Sequence, residues 1–182
     1  AKANHLKVAS ANWHALATLA GQYAPHGRAI LIDVGSTPTD VIPILDGRPV
    51  PQGKTDYERL QSWELLYTGV RRTPLCALTG WGGAAEFFAT TLDAYLTLGF
   101  IPEDPADCDT ADNRPATRHH ARARLCRMLC GDPDMIPEER VEELARFAFT
   151  EQRDRIQRCE RVVRDRLKEM LSSYDERSFV SR

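Results

Sequence analysis

Apolar positions along the chain follow two periods, strand-like in part of the first half and helical in most of the rest. Trp13, Leu16, Ala17, Leu19, Ala20 and Tyr23 recur at helical spacing, which predicts a helix over 10–23 capped by Ser10. Gly21, Pro25 and Gly27 then punctuate the chain. Residues 29–34 are an almost wholly apolar run ending at Asp33-Val34, the pattern of a short buried strand. Gly35-Ser36-Thr37-Pro38 has turn composition, and a second strand is predicted over 41–45. Asp46-Gly47 is a strong hairpin signal, followed by a return strand over 48–50. The Gly35 loop is therefore expected between two antiparallel strands, not at the mouth of a helix.

Further on, Thr55-Asp56-Tyr57-Glu58 has capping-box spacing and predicts a helix over 55–66, with Gly69 beyond its end. Leu75-Cys76-Ala77-Leu78 suits another short buried strand. Gly80-Trp81-Gly82-Gly83 is a glycine-rich loop of the kind that covers a substrate or simply turns. A helix is predicted over 84–98, stopped by Gly99. Residues 101–115 hold three prolines and many acids and predict a loop. Thr117 caps a helix reaching Cys130. Pro137 opens a final helix to about residue 172, with Val141, Leu144, Ala145, Ala148, Ile156, Val163, Leu167 and Met170 on its apolar stripe. The expected organisation is an α/β portion over 1–100 and a helical extension over 101–182, together one structural unit.

Composition narrows the class. The chain has 182 residues and a formal net charge of -2, with acids accompanying the arginines, which argues against a general nucleic-acid binder. No apolar stretch is long enough for a bilayer span, and the N-terminus lacks the layout of a signal peptide, so no membrane partner is expected. Five cysteines at uneven spacing predict reduced thiols in a cytoplasmic protein. The chain begins at Ala1 instead of Met, which is expected of a piece of a longer protein. The oligomeric state is left open, a homo-oligomer included.

The chemistry concentrates in Asp33-Val34-Gly35-Ser36-Thr37-Pro38-Thr39-Asp40. Asp33, at a strand end, is placed to hold a hydrated Mg2+. Gly35 permits a close approach to an anion, successive N–H groups can form an anion nest, and Ser36, Thr37 and Thr39 add hydroxyl donors. Asp40 can orient water, assist a metal or cap the loop. The same residues are ordinary turn formers, and a plain polar hairpin stands beside the phosphate-site reading. A Walker loop and a dinucleotide fingerprint are both excluded, because no helix opens there. Cys126 and Cys130, with His119 and His120 nearby, share helical spacing for a metal, but two core cysteines beside surface histidines are the expected reading. Glu86 and Asp93 lie seven apart on the predicted helix as acid/base candidates, with a salt-bridged surface the default; Arg118, Arg122, Arg124 and Arg127 form a basic helical face open to RNA contact but with no aromatic platform interleaved.

The Asp33 segment resembles the second phosphate-binding hairpin of the actin-like ATPase superfamily. The likeness continues through Gly53-Lys54-Thr55-Asp56-Tyr57-Glu58-Arg59-Leu60-Gln61, Tyr67-Thr68-Gly69-Val70-Arg71-Arg72-Thr73-Pro74, Glu86-Phe87-Phe88-Ala89-Thr90-Thr91, Thr110-Ala111-Asp112-Asn113-Arg114-Pro115-Ala116-Thr117 and Arg124-Leu125-Cys126-Arg127-Met128-Leu129-Cys130. Together these resemble the hydantoinase A/oxoprolinase group, in particular its members in the tetrahydromethanopterin-linked one-carbon pathway. The resemblance implies a ribonuclease H-like half with a mixed sheet, a hairpin phosphate loop and a helical extension. It implies transfer of an aminomethylfuryl group from its diphosphate to the phenol of gamma-glutamyltyramine, in methylofuran biosynthesis. Asp33 and Asp40 would then be catalytic, with Mg2+ at Asp33. Gly35, Ser36, Thr37 and Thr39 would bind phosphate, and Lys54, Arg71 and Arg72 would bind substrate. The implied partners are a small-molecule diphosphate, a phenolic acceptor and an N-terminal half carrying the first phosphate loop. ATP stays open as ligand through an ATP-dependent kinase or hydrolase of the same group, as does a non-catalytic scaffold.

Overall fold

The structure, a computed structural model, describes residues 12–78 and 83–179, with side chains placed through residue 170. The chain packs as two compact units that interleave in sequence: Ala1–Asp33, Pro38–Leu66 and Ile156–Arg182 form one, Val34–Thr37 and Tyr67–Arg155 the other. Helices and a four-stranded sheet make it an α/β chain.

In the first unit, helix α1 (Asn12–Gly21) precedes strands β1 (Arg28–Val34), β2 (Thr39–Leu45) and β3 (Arg48–Pro49), helix α2 (Asp56–Gln61) and strand β4 (Leu65–Leu66). β2 is the central strand, hydrogen-bonded to β1 and antiparallel to both β3 and β4. Val41 N–H donates to the Glu64 carbonyl at 2.9 Å, and the Pro43 carbonyl accepts Val50 N–H at 2.8 Å. Residues two apart face the same strand edge, so β4 and β3 lie end to end along it. Pro43 has no N–H to return, which ends the β3 ladder after Arg48 and Pro49. The Asp46-Gly47 turn forms as expected, with φ of 47° and 74°. A Cβ on Gly21 would sit 2.1 Å from the Gly47 carbonyl oxygen, so only glycine lets α1 end against this turn.

Two expectations are corrected in this unit. β1 is an edge strand and not a buried one: Ile32 is 41% and Val34 37% exposed. The helix expected to reach residue 66 stops at Gln61, because Trp63 turns left-handed at φ 63° and Glu64 N–H closes on the Arg59 carbonyl at 2.8 Å. Its predicted capping box is present: Thr55 Oγ1 accepts Glu58 N–H at 3.3 Å, and Glu58 Oε2 accepts Thr55 N–H at 3.1 Å. Lys54 N–H, then Thr55 N–H, hold the Glu58 carboxyl below its usual range.

Charge is buried here only with partners. Glu64 is fully buried and accepts N–H from Gln52 at 2.7 Å and Gly53 at 3.0 Å, together with Arg166 Nη2 at 2.5 Å. Arg166 Nη1 also reaches the Ser62 carbonyl at 3.0 Å. Beside this pair, Val41, Cys159 and Val163 pack with Ile30 and Leu66.

The second unit contains a short 3-10 turn (Leu75–Leu78), α3 (Thr91–Thr97), α4 (Arg118–Met128) and the first part of α5 (Glu138–Phe179). Its core joins Leu75, Leu78, Leu125, Met128, Leu144 and Ala148. The expected strand at 75–78 is corrected: Leu75 N–H does donate to the Ala89 carbonyl, at 3.0 Å, but Ala77 N–H turns back to Pro74 at 3.0 Å. The helix expected over 84–98 begins only at Thr91. Asp93 Oδ2 accepts Thr90 N–H at 2.9 Å, and Thr91 N–H pairs with the Thr73 carbonyl at 2.9 Å, which keeps residue 90 extended. Glu86 therefore shares no helix with Asp93. The predicted stop at Gly99 (φ 74°) and the predicted N-cap at Thr117, whose hydroxyl accepts His120 N–H at 3.5 Å, are observed. Ser10 and residues 80–82 of the glycine loop lie outside the described residues. Despite its 42 residues, α5 is studded with charge, and no helix among the described residues is long and apolar enough to cross a membrane.

Arg118 of the basic face of α4 is exposed, but the other three arginines are engaged within the fold. Arg124 is fully buried, with Nε on Asp93 Oδ1 at 2.8 Å and Nη1 on Asp112 Oδ1 at 2.8 Å. Arg127 joins Asp112 at 3.1 Å, and Arg122 Nη2 caps the Pro133 and Ile136 carbonyls at 3.0 and 2.9 Å. Burial pushes the Asp93 carboxyl up to about 6, against the pull of Arg124.

Two outcomes are expected. Arg166→Met leaves Glu64 buried without its cation and lowers stability by roughly 3 kcal/mol in urea unfolding, and adding Glu64→Gln recovers part of that loss. The Asp93 carboxyl carbon resonance titrates near pH 6; a midpoint below 4 would contradict the burial argument. Because this folded value lies above the unfolded one, the group's stabilisation is complete below about pH 4 and is lost as pH rises through about 6.

Candidate functional site

Residues 35–37 lie in the second unit, and their carbonyls are anchored within it. Val70 N–H donates to the Gly35 carbonyl at 2.9 Å; Arg71 and Arg72 N–H donate to the Ser36 carbonyl at 3.1 and 3.0 Å. A trans peptide is planar, with its C=O and the following N–H pointing opposite ways. Turning these two carbonyls toward residues 70–72 therefore turns the Ser36 and Thr37 N–H groups away from them. Among the described residues, no backbone carbonyl accepts from the N–H of Gly35, Ser36 or Thr37. Ser36 is exposed and its two neighbours half-buried. Successive N–H groups left without a backbone acceptor are the kind of donor that an anion-binding turn uses.

The close packing requires Gly69. A Cβ there would lie 2.5 Å from the Gly35 carbonyl oxygen and 2.7 Å from Thr37 N, so the 35–37 backbone rests on a residue without a side chain. Gly69 is itself held on all sides. Its N–H donates to Thr73 Oγ1 at 2.8 Å, while its carbonyl accepts Thr91 Oγ1 at 2.7 Å and Gln152 Nε2 at 2.7 Å. Gln152, 1% exposed on α5, also donates to Thr68 Oγ1 at 2.9 Å and accepts Tyr95 O–H at 2.8 Å. Sequence reading noted Gly69 as a helix stop and passed over Gln152; a lone glutamine among the charges of α5 gives no signal of its own.

The other candidates have definite surroundings. Asp33 closes β1 in the first unit, half-buried, and no cation pairs with it among the described residues. Asp40, in the same unit, accepts Arg59 Nη2 at 2.5 Å; burial raises its pKa, Arg59 opposes this, and the Asp33 charge adds to the rise. Arg59 is buried and stacks over Trp13 at 4.1 Å. Thr39 is fully buried in β2, opposite Leu66. The Lys54 side chain is exposed, and its backbone N–H caps Glu58 at 2.7 Å.

Arg71 is engaged by Asp107 at 2.5 Å and by the Asp109 carboxylate and carbonyl at 3.3 and 2.9 Å; the Asp107 bond raises its pKa and lowers that of Asp107. Arg72, 61% exposed, touches Asp109 at 3.3 Å. Gly35, Ser36, Thr37, Arg71 and Arg72 are thus brought together by backbone hydrogen bonds, with the arginine side chains on an acidic loop. Cys126 is buried and Cys130 exposed, and no group of three metal-ligating side chains is assembled among the described residues.

Residues 1–170 match the Hydantoinase/oxoprolinase family. Two curated relatives carry the name (4-{4-[2-(gamma-L-glutamylamino)ethyl]phenoxymethyl}furan-2-yl)methanamine synthase. The one from Methanocaldococcus jannaschii is 37% identical over 153 residues, covering 80% of this chain and 46% of its own length. The one from Methanococcus vannielii is 40% identical over 124 residues, covering 64% of this chain and 55% of its own. The chain spans about half the length of these relatives. With a match over nearly its whole length, the chain belongs to the hydantoinase/oxoprolinase family.

Proposed function

We propose that this chain supplies the diphosphate-holding part of a transferase that forms an aryl ether on a furan-2-ylmethanamine, as the names of its relatives describe. The observation that carries the proposal is the pair of N–H groups at Ser36 and Thr37, turned outward by the anchoring of the preceding carbonyls. In this reading the phenol oxygen of gamma-glutamyltyramine attacks the furfuryl methylene carbon. The bond from that carbon to the diphosphate oxygen breaks, diphosphate leaves with the electron pair, and the phenol proton passes to solvent. Most of the new charge develops on the leaving group, where preorganised N–H donors stabilise it.

Asp33 is the metal-holding acid of this proposal. An oxygen ligand paired with no cation among the described residues fits Mg2+, which is commonly held by one or two carboxylates plus substrate phosphates and so needs no three-residue cluster. When bound, the ion would neutralise developing diphosphate charge. Asp40, paired with Arg59, shapes the field at Asp33. Arg71 and Arg72 reach a diphosphate only by exchanging Asp107 and Asp109 for it. The finer fold assignment, one half of an actin-like enzyme whose remainder supplies the acceptor site, rests on the loop type and on the relatives' double length.

Isothermal titration of this chain with magnesium pyrophosphate and with magnesium ATP tests the proposal. Saturable pyrophosphate binding is expected, weakened at least about tenfold by Asp33→Ala. Tighter binding of ATP would replace the leaving-diphosphate reading with an ATP-handling one, and absence of pyrophosphate binding would remove the anion site from this chain. In the full-length protein, Asp33→Ala is expected to abolish turnover with the unfolding midpoint nearly unchanged.

A further inference from the structure

Gln152 sits far from residues 35–37 in sequence, yet hydrogen-bonded peptides connect them without a gap inside one unit. Tyr95 O–H donates to Gln152 Oε1 at 2.8 Å. Gln152 Nε2 donates to the Gly69 carbonyl at 2.7 Å. That carbonyl shares a peptide with Val70 N–H, which points the opposite way and donates to the Gly35 carbonyl at 2.9 Å. The Gly35 carbonyl in turn shares a peptide with Ser36 N–H, the outward donor of the nest. The dipoles run head to tail from Tyr95 to Ser36, and each donor polarises the amide it bonds.

We propose that Gln152 is a positioning residue for the anion-binding loop, fixing and polarising Ser36 N–H through the Gly69–Val70 and Gly35–Ser36 peptides; the anion role rests on the function proposed above. An amide is what this position requires. One group must accept Tyr95 O–H and donate twice, to Gly69 and to Thr68 Oγ1, all at 1% exposure. A carboxylate would supply no donor and would face the Gly69 carbonyl with a charge; an aliphatic chain would take away the Tyr95 O–H acceptor and one donor each from Thr68 and Gly69, whose carbonyl would keep Thr91 Oγ1. Thr37 N–H provides an internal reference. It belongs to the Ser36–Thr37 peptide, whose carbonyl is held by Arg71 and Arg72 N–H and not by the relay.

The test is amide NMR of the chain, followed by titration with magnesium pyrophosphate. In Gln152→Met, the Ser36 amide proton is expected to move upfield while Thr37 stays near its wild-type position, and the pyrophosphate Kd to rise about fivefold. Tyr95→Phe removes a single oxygen from the far end of the relay. It should shift Ser36 in the same direction by a smaller amount, so it keeps the proposal open to refutation if Gln152→Met fails to fold. In Gln152→Glu, the ratio of variant to wild-type Kd should fall toward one as acid protonates the new carboxyl and restores a donor. An unmoved Ser36 amide in either folded variant overturns the relay, as do equal shifts at Ser36 and Thr37. Failure of the wild-type chain to bind pyrophosphate would instead sink the anion reading, since the amide shifts are read without ligand.

Discussion

A planar trans peptide cannot turn its carbonyl inward without turning the next N–H outward, and the candidate site depends on that constraint. The Gly35 and Ser36 carbonyls are both held by N–H groups of residues 70–72, so the two following N–H groups have only the outer side available. No charged side chain is needed to set this up. The device needs a backbone that can lie almost in contact with another backbone, and Gly69 provides it. The carbonyl and hydroxyl bonds around Gly69 then brace the platform, so in the proposed reading the donors would be oriented before an anion arrived.

The charged residues divide the work differently from the way their positions along the chain suggest. Arg59, Arg124 and Arg166 each hold a carboxylate that is distant in sequence, and all three of those acids are mostly buried. A lone ion at such depth would cost several kcal/mol, so each pair is a long-range constraint on the chain as much as a source of stability. Arg71 and Arg72 are the exception in kind. They sit at the loop by their backbones, while their side chains rest on Asp107 and Asp109, mostly at surface-like exposure. Exposed contacts of that sort are worth little each.

Local signals were legible in the sequence, and long-range ones were not. The Asp46-Gly47 turn, the Thr55–Glu58 box, the Thr117 cap and the Gly99 stop all depend on residues within four positions of one another, and all are observed. Residues 75–78 and 84–90 failed because their backbone partners come from elsewhere. Leu75 pairs with Ala89, and Thr91 with Thr73, and those bonds override the local apolar pattern. Arg124 read as part of a basic face because helical spacing cannot reveal that Asp93 and Asp112 close over it. The loop at 33–40 was singled out from its residue types, but the backbone bonds that hold residues 35–37 come from residues 70–72 and rest on Gly69. Gly69 could have been flagged as a close-approach glycine; Gln152 offered nothing until its partners were seen.

What residues 35–37 provide is chemically narrow, and that bears on how the proposed reaction would be shared across a longer polypeptide. In the proposed reading their N–H donors would hold an anion. They do not hold a phenol or a furan, which need apolar walls with a few oriented polar groups. The cavities of about 440 and 420 Å³ in the first unit contain none of residues 35–37; one is lined by Arg28, Ile30, Ile32, Arg164 and Leu167, the other by Gln52, Gly53 and Tyr57. In the proposed reaction the acceptor phenol must approach the furfuryl carbon from the side opposite the departing oxygen, so its binding surface has to face the diphosphate loop across the reacting carbon. A chain of about half its relatives' length can supply one wall of such a site. Leaving-group stabilisation and acceptor positioning would then be separable: damage to the loop should slow departure of diphosphate, and damage to the remainder should weaken capture of the phenol.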